Sequence, residues 1–235
     1  MKTISTKLIL LLLIFNLISC KKENNTSSIS EYQYADQPQT INCSNSDSKL
    51  LNEALYTFKN DIANYYDSQQ KNMVRAYNAF TRAAVSNKKP AYEEFVSEHS
   101  VNVAKALNDT GIFNIEGLNY DHDIIKCIGK NMSAGGIETT FKALLSKNSM
   151  RVSLFEPALG GKASSMEKDS YLGLYVALEY FYSKINKIDF SQVDFKKRDE
   201  ENATRAKQAE EIKKANQVNP IQPKNSKVDF NKRPR

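Results

Sequence analysis

Apolar residues recur at three- and four-residue steps in several separate stretches between residues 46 and 190. This spacing predicts amphipathic helices. The first stripe begins after Ser46 and consists of Leu51, Leu55, Phe58, Ile62 and Tyr65. The second consists of Met73, Ala76, Tyr77, Phe80, Ala83 and Ala84. The polar residues 67–70 between them form either a short turn or the exposed face of one longer helix.

Further stripes continue the helical pattern towards the middle of the chain. Pro90 suits a first helical turn, and the third helix is expected to run from there to about Leu107. Residues 111–120 alternate briefly between apolar and polar positions, as in a short extended segment. Asp121 or Asp123 can then cap a fourth helix, because an aspartate side chain accepts hydrogen bonds from the first free N–H groups.

Two more helices complete the predicted domain. The fifth covers residues 137–147, and the sixth, Met166–Ile188, has the broadest apolar stripe in the chain. A loop containing Pro157 separates them. With short links and no convincing strand, residues 46–190 are predicted to form an all-α domain, a single bundle of about six helices.

The segments on either side of this domain lack apolar periodicity. Residues 20–45 are rich in Asn, Ser, Thr and Gln, a composition typical of a flexible tether. Residues 191–235 form a charged tail in which residues 196–216 are almost wholly charged, polar or Ala. With no stripe to dock it, that part is predicted to be a solvated helix. The proline-containing end after residue 218 is predicted to be disordered.

The first 19 residues have the features of an export signal. Lys2 and Lys7 precede a run of roughly 11 apolar residues, too short for the roughly 20 that a membrane-spanning helix needs. The run ends in Leu17-Ile18-Ser19-Cys20, which resembles the lipobox of bacterial lipoproteins. An ordinary secretory signal with an accidental cysteine, or an uncleaved anchor, is the alternative.

The lipobox resemblance implies a processed and lipidated N-terminus. In such lipoproteins the cysteine thiol, here that of Cys20, receives a diacylglycerol, residues 1–19 are removed, and the new amine is usually acylated. Each buried CH₂ contributes about 0.8 kcal/mol, so two or three chains hold a protein firmly on a membrane. No aspartate follows Cys20. The resemblance therefore implies a cell-envelope location, with the outer membrane favoured, on its periplasmic face or at the cell surface.

Cys43 and Cys127 remain once Cys20 is assigned to the lipid. An even pair in an oxidising compartment predicts a disulfide, and two separate buried thiols are the alternative. A bridge closing about 80 residues stabilises by roughly 4 kcal/mol in the chain-entropy model.

The formal net charge of +6 does not point to nucleic acid. Residues 194–235 hold 12 basic and 7 acidic residues, whereas residues 20–193 hold 19 and 20. An exported protein also meets no chromosomal DNA. The basic tail is either simply solvated or directed at anionic lipid, cell-wall polymer or an acidic protein.

Candidate catalytic and metal-binding patterns are all incomplete. His99 and His122 do not belong to a His-Glu-x-x-His motif, and the calcium-loop-like start at Asn119 has Ile124 where Gly is needed. Ser165-Met166-Glu167-Lys168 matches Ser-x-x-Lys, but a helix N-cap explains Ser165 better.

Two further groups have both a functional and a structural interpretation. Glu94 and Glu98 lie one predicted helical turn apart. They could act as paired carboxylates or form an exposed acidic face. The many tyrosines could line a groove for sugar or peptide, or belong to the core. The sequence thus predicts no catalytic residue, cofactor or metal.

The predicted function is a lipid-anchored module that binds or scaffolds an envelope protein partner. An enzyme acting on envelope polymers, or an inhibitor or immunity-type lipoprotein, is the alternative.

Overall fold

The computed structural model describes residues 29–44, 46–86 and 90–218. The predicted signal segment, Cys20 and residues 219–235 lie outside the described residues, so the predictions for them are untested. Within the described part the fold is all-helical, and two residues pair in an isolated antiparallel β-bridge, Phe113 with Leu118. The all-α prediction is confirmed.

In chain order, the helices are two groups of four, a central helix and a final helix. The first contains α1 (Ser48–Tyr66), α2 (Met73–Ala84), α3 (Tyr92–Phe95) and α4 (Glu98–Asp109). The second contains α5 (Asp123–Asn131), α6 (Gly136–Ser146), α7 (Val152–Leu159) and α8 (Ala163–Lys168). A continuous central helix follows, made of α9 (Ser170–Val176), a π-helical segment (Ala177–Tyr182) and α10 (Ser183–Ile185). The last element is α11 (Phe195–Val218).

Helix boundaries differ from the prediction where polar side chains interrupt a stripe. The third predicted helix is broken at Val96 and Ser97, because the Ser97 hydroxyl caps α4 by accepting the Ser100 N–H. The sixth is broken at Asp169, whose carboxylate caps α9. The loop predicted around Pro157 is instead helix α7, with the proline inside it.

The core forms between α1, α2 and the central helix. The Phe58 ring lies 5.0 Å from that of Phe80 and 5.2 Å from that of Phe181, measured between centroids. Gly173 allows this close packing, since a Cβ there would lie 2.7 Å from the Tyr77 hydroxyl and 2.9 Å from the Met166 carbonyl oxygen. The predicted stripe of α1 is buried as expected from Leu51 to Ile62, but Tyr65 is 41% exposed.

Residues 29–44, here called the strap, lie against α1 rather than forming a free tether. Ile29 and Ile41 are buried, and the Glu53 carboxylate accepts the N–H groups of Gln33 and Tyr34. The prediction of a tether over residues 20–45 is therefore wrong for this part. The strap is held largely by polar contacts with its backbone, which leave no periodic apolar signal.

Cys43 and Cys127 lie at disulfide-bonding distance, with 1.93 Å between their sulfur atoms and 5.9 Å between their Cα atoms. The pair joins the end of the strap to α5. The predicted pairing is confirmed.

The charged tail begins as a docked helix. The Phe190 and Phe195 rings stack with centroids 6.1 Å apart. The Arg198 Nη1 atom donates to the carbonyl oxygens of Val96, at 2.7 Å, and Glu93, at 3.2 Å. The single-helix prediction holds for residues 195–218, but the first turns of α11 are fixed to the domain.

Candidate binding groove

A groove of about 560 Å³ lies between α1 and α11. Its walls come from α1 and the turn after it, from the segment around α3, and from one face of α11. The lining residues are Asn60, Asp61, Asn64, Tyr65, Ser68, Phe95, Ser97, Arg198, Asp199, Asn202 and Arg205. We call this the α1–α11 groove.

Two aromatic rings provide its apolar surface. Tyr65 stacks on Phe95 with ring centroids 4.9 Å apart and an interplanar angle of 28°. The Tyr65 hydroxyl donates to the Glu94 carboxylate at 2.6 Å, and this bond, together with partial burial, raises the pKa of Tyr65 to about 12. The ring is therefore fixed in position while much of its surface stays accessible.

Asp61 is the buried acid beneath the groove. Its carboxylate accepts the Ser97 N–H at 2.9 Å and the Ser100 hydroxyl at 2.7 Å. Burial raises the pKa of Asp61 to about 6, although both serines and the nearby Arg198 charge act in the opposite direction. Asp61 thus fixes the chain between α3 and α4, which forms one wall.

The carboxamides of Asn60 and Asn64 are two free polar groups of the groove. Both side chains are exposed, and neither has a hydrogen-bond partner among the described residues. Across the groove, Asn202 donates to the Glu94 carbonyl oxygen at a long 3.4 Å. A carboxamide offers two donors and an acceptor together, so this wall suits a ligand that carries both kinds of group.

Charged side chains of both signs line the groove, and most of them already form ion pairs or hydrogen bonds. Arg198 pairs with Asp199 at 2.6 Å in addition to its carbonyl contacts. Arg205 is 75% exposed and lies 3.9 Å from the Glu201 carboxylate. The groove therefore has no strong preference for a net charge.

The two histidines lie in different places and have different partners. His99 Nε2 lies 2.6 Å from the Glu53 carboxylate, beneath the strap. His122 Nδ1 accepts the Ile124 N–H and caps α5, so the predicted caps Asp121 and Asp123 are wrong. The described residues contain no group of three or more His, Cys, Asp or Glu that could hold a metal.

The two remaining sequence candidates, Ser165 and the Glu94–Glu98 pair, do not have the predicted arrangement. Ser165 lies inside α8 and does not cap it, contrary to the prediction. Glu94 belongs to α3 and Glu98 to α4, so they do not share a helical turn.

Sequence reasoning missed the buried acids Glu53, Asp61, Asp169 and Glu179, the last of which lies in the π-helical segment. The Glu179 carboxylate accepts the Tyr120 hydroxyl at 2.7 Å and lies 3.8 Å from the Lys184 ammonium. Burial raises its pKa, and only 3% of the residue is exposed. Its place beside the apolar stripe gave no sign of this burial.

The groove itself was also missed. Asn60 and Asn64 form an exposed i,i+4 pair in the sequence, but nothing in the pattern of α11 predicts that it docks beside them. No described helix is long and apolar enough to cross a membrane. No known protein family, characterised protein or solved structure matches the chain.

Proposed function

We propose that the protein is a lipid-anchored binding module of the cell envelope, and that its helical domain holds an envelope partner in the α1–α11 groove. The observation that carries the proposal is the pair of unpartnered carboxamides, Asn60 and Asn64, on the wall of an open groove. Ligand sites are typically clefts in which a few polar groups lie beside apolar and aromatic surface.

The architecture of the groove supports binding. Tyr65 is fixed by its bond to Glu94, Phe95 is packed beneath it, and Arg198 holds α11 in place. A wall that is already ordered loses less conformational entropy when a ligand arrives.

The leader supports the location. The run of apolar residues, the Leu17-Ile18-Ser19-Cys20 motif and the disulfide at Cys43 and Cys127 agree with export to an oxidising compartment. The membrane partner in this proposal is engaged through the lipid on Cys20.

A site-specific photocrosslink in intact cells tests the binding role. We would place p-benzoylphenylalanine at Ser68, on the edge of the groove, and at Asn78, an exposed residue of α2, as the control. Position 68 is expected to give a discrete light-dependent adduct that position 78 does not give.

The adduct should also depend on an open groove. Adding Asn64→Trp, which fills the groove, is expected to reduce the adduct at least tenfold. Asn78→Trp is the matched substitution and is expected to have no effect on it. Equal labelling from positions 68 and 78, or an adduct that Asn64→Trp does not reduce, would contradict the proposal.

A further inference from the structure

We propose that the α1–α11 groove binds a segment of extended polypeptide and recognises it through its backbone. This inference rests on the proposed binding function and adds the chemical class of the ligand. Its basis is that α1 already binds main-chain groups of its own chain in this way, at a turn that begins at Gln33 and at the irregular stretch around Ile41.

The first contact of this kind is made by Glu53. Its carboxylate accepts the N–H of Gln33 at 2.6 Å and that of Tyr34 at 3.0 Å. Both bonds are made to main-chain groups, so the contact does not depend on the side chains of the strap.

The second contact shows that a carboxamide can bind both backbone groups of one residue. Asn52 Oδ1 accepts the Ile41 N–H at 3.0 Å, and its Nδ2 donates to the Ile41 carbonyl oxygen at 2.8 Å. The Oδ1 atom also accepts the Thr40 N–H at 2.9 Å. An antiparallel β-strand makes the same pair of bonds to its neighbour.

Of the two strap-binding side chains, Glu53 lies on the face of α1 that continues into the groove, and Asn52 lies about 80° or more around the helix from Asn60 and Asn64. Asn60 and Asn64 follow Glu53 by 7 and 11 positions. At about 100° per residue, the three side chains project within about 40° of one another. Asn60 and Asn64 therefore extend the strap-binding face to a place where the described chain supplies no partner for them.

The spacing of the two carboxamides matches an extended chain. Four residues along a helix span roughly 6 Å, and two residues of an extended strand span roughly 6.6 Å. Asn60 and Asn64 can thus meet alternate residues of one segment. The helical part of this wall, from Asn60 to Tyr66, is about 9 Å long, enough for about three extended residues.

The other surfaces of the groove accommodate side chains. The exposed part of Tyr65, on α1, offers contact to an apolar side chain, and across the groove Asn202 of α11 keeps its carboxamide oxygen as an acceptor. The mixed charges of Asp199 and Arg205 select for neither sign. These features suit a segment of modest sequence preference.

Selection from a phage-displayed library of random 12-residue peptides provides the probe. The detergent-solubilised mature chain serves as bait, and an enriched peptide is synthesised for titration calorimetry. Asn60→Ala and Asn64→Ala are each expected to weaken its binding about tenfold, since each removes one or two net hydrogen bonds. Asn78→Ala is the matched control and should not change the affinity, and thermal unfolding shows that each variant is folded.

Backbone methylation tests the mode of recognition. N-methylating the peptide at the positions that meet the two carboxamides should weaken binding at least tenfold, whereas methylating the residue between them should have a much smaller effect. An affinity insensitive to methylation at every position would overturn backbone recognition.

The outcomes also separate this inference from the binding function itself. If no peptide is enriched, and cell-wall oligosaccharides bind in an Asn64-dependent manner, the peptide inference is overturned while the binding role stands. If neither class binds and position 68 gives no photocrosslink, both are overturned.

Discussion

Single buried acids on α1 fix the segments that surround it. Glu53 accepts two backbone N–H groups of the strap, and Asp61 accepts the Ser97 N–H before α4. Burying a carboxylate costs free energy unless hydrogen bonds compensate. The two acids lie eight residues apart on one helix, so one element organises both its own N-terminal cover and a wall of the groove.

The raised pKa of Asp61 predicts a pH-dependent contribution to stability. The carboxyl group of Asp61 has a pKa of about 6 in the folded protein and an ordinary value of 3.8 when unfolded. Its contribution to folding stability is therefore largest below pH 3.8. That contribution is lost as the pH rises through 6. Because each pKa unit is worth about 1.4 kcal/mol, the full loss is about 3 kcal/mol, most of which falls between pH 4 and 7.

Asp61→Asn tests this directly, because the carboxamide keeps an acceptor for Ser97 and Ser100 but does not ionise. Urea unfolding of both proteins across pH 4 to 7.5 gives a difference in which other titrating groups cancel. The variant should gain stability relative to the parent as the pH rises. A difference that stays constant with pH would show that Asp61 titrates normally.

Residue burial was predictable where periodicity alone decides it. Leu51, Leu55, Phe58 and Ile62 were predicted to face the core and are at most 1% exposed. Tyr65 continues the same stripe but is 41% exposed. The C-terminal end of α1 extends beyond the core, so Tyr65 contacts α3 and faces α11 instead. Its hydroxyl partner, Glu94, is distant in sequence and cannot be inferred from a local pattern.

Whole elements were predictable in type, but not in number or at their ends, since about six helices were predicted for residues 46–190 and the structure has α1 to α10 there. The stripe of the sixth predicted helix runs through Asp169, whose carboxylate caps α9 and also accepts the N–H of Ser133, 36 residues away. The strap has no periodicity, yet Asn52 and Glu53 hold its backbone. Long-range polar contacts of this kind leave no local signal, which is why the strap was predicted to be a tether.

The disulfide is expected to stabilise the strap and α5 together. Cys43 and Cys127 are separated by 84 positions. In the chain-entropy model a loop of this length contributes about 4 kcal/mol, or roughly 10 °C in Tm for a domain of this size.

Reductant should therefore lower the Tm of the protein by about this amount. The Cys43→Ser/Cys127→Ser variant should already melt at the lower temperature and should not respond to reductant. If reductant shifts the variant as much as the parent, the stabilisation does not come from this bridge.

The molecule as a whole combines a packed domain with a groove completed by its charged tail. Arg198, Asp199, Asn202 and Arg205 of α11 supply one wall. The first turns of α11 are held mainly by polar contacts to the ends of α3, so an apolar stripe was not needed to dock it. The composition of the tail predicted its helix and its solvated face, but not this contact.

The proposed anchor sets how far the domain can lie from a membrane. Eight residues lie between Cys20 and Ile29, where the described strap begins. Such a segment spans at most about 30 Å when fully extended. A lipid on Cys20 would thus keep the α1–α11 groove near the bilayer and favour partners that are themselves close to the envelope surface.

The mass of the N-terminal peptide of the mature protein tests the anchored-module account most directly. The account predicts a peptide that begins at Cys20 and carries diacylglycerol with or without an additional acyl chain, and Cys20→Ala should abolish both the processing and the lipid. A mature chain that begins elsewhere, or an unmodified Cys20 thiol in the membrane fraction, would contradict the account.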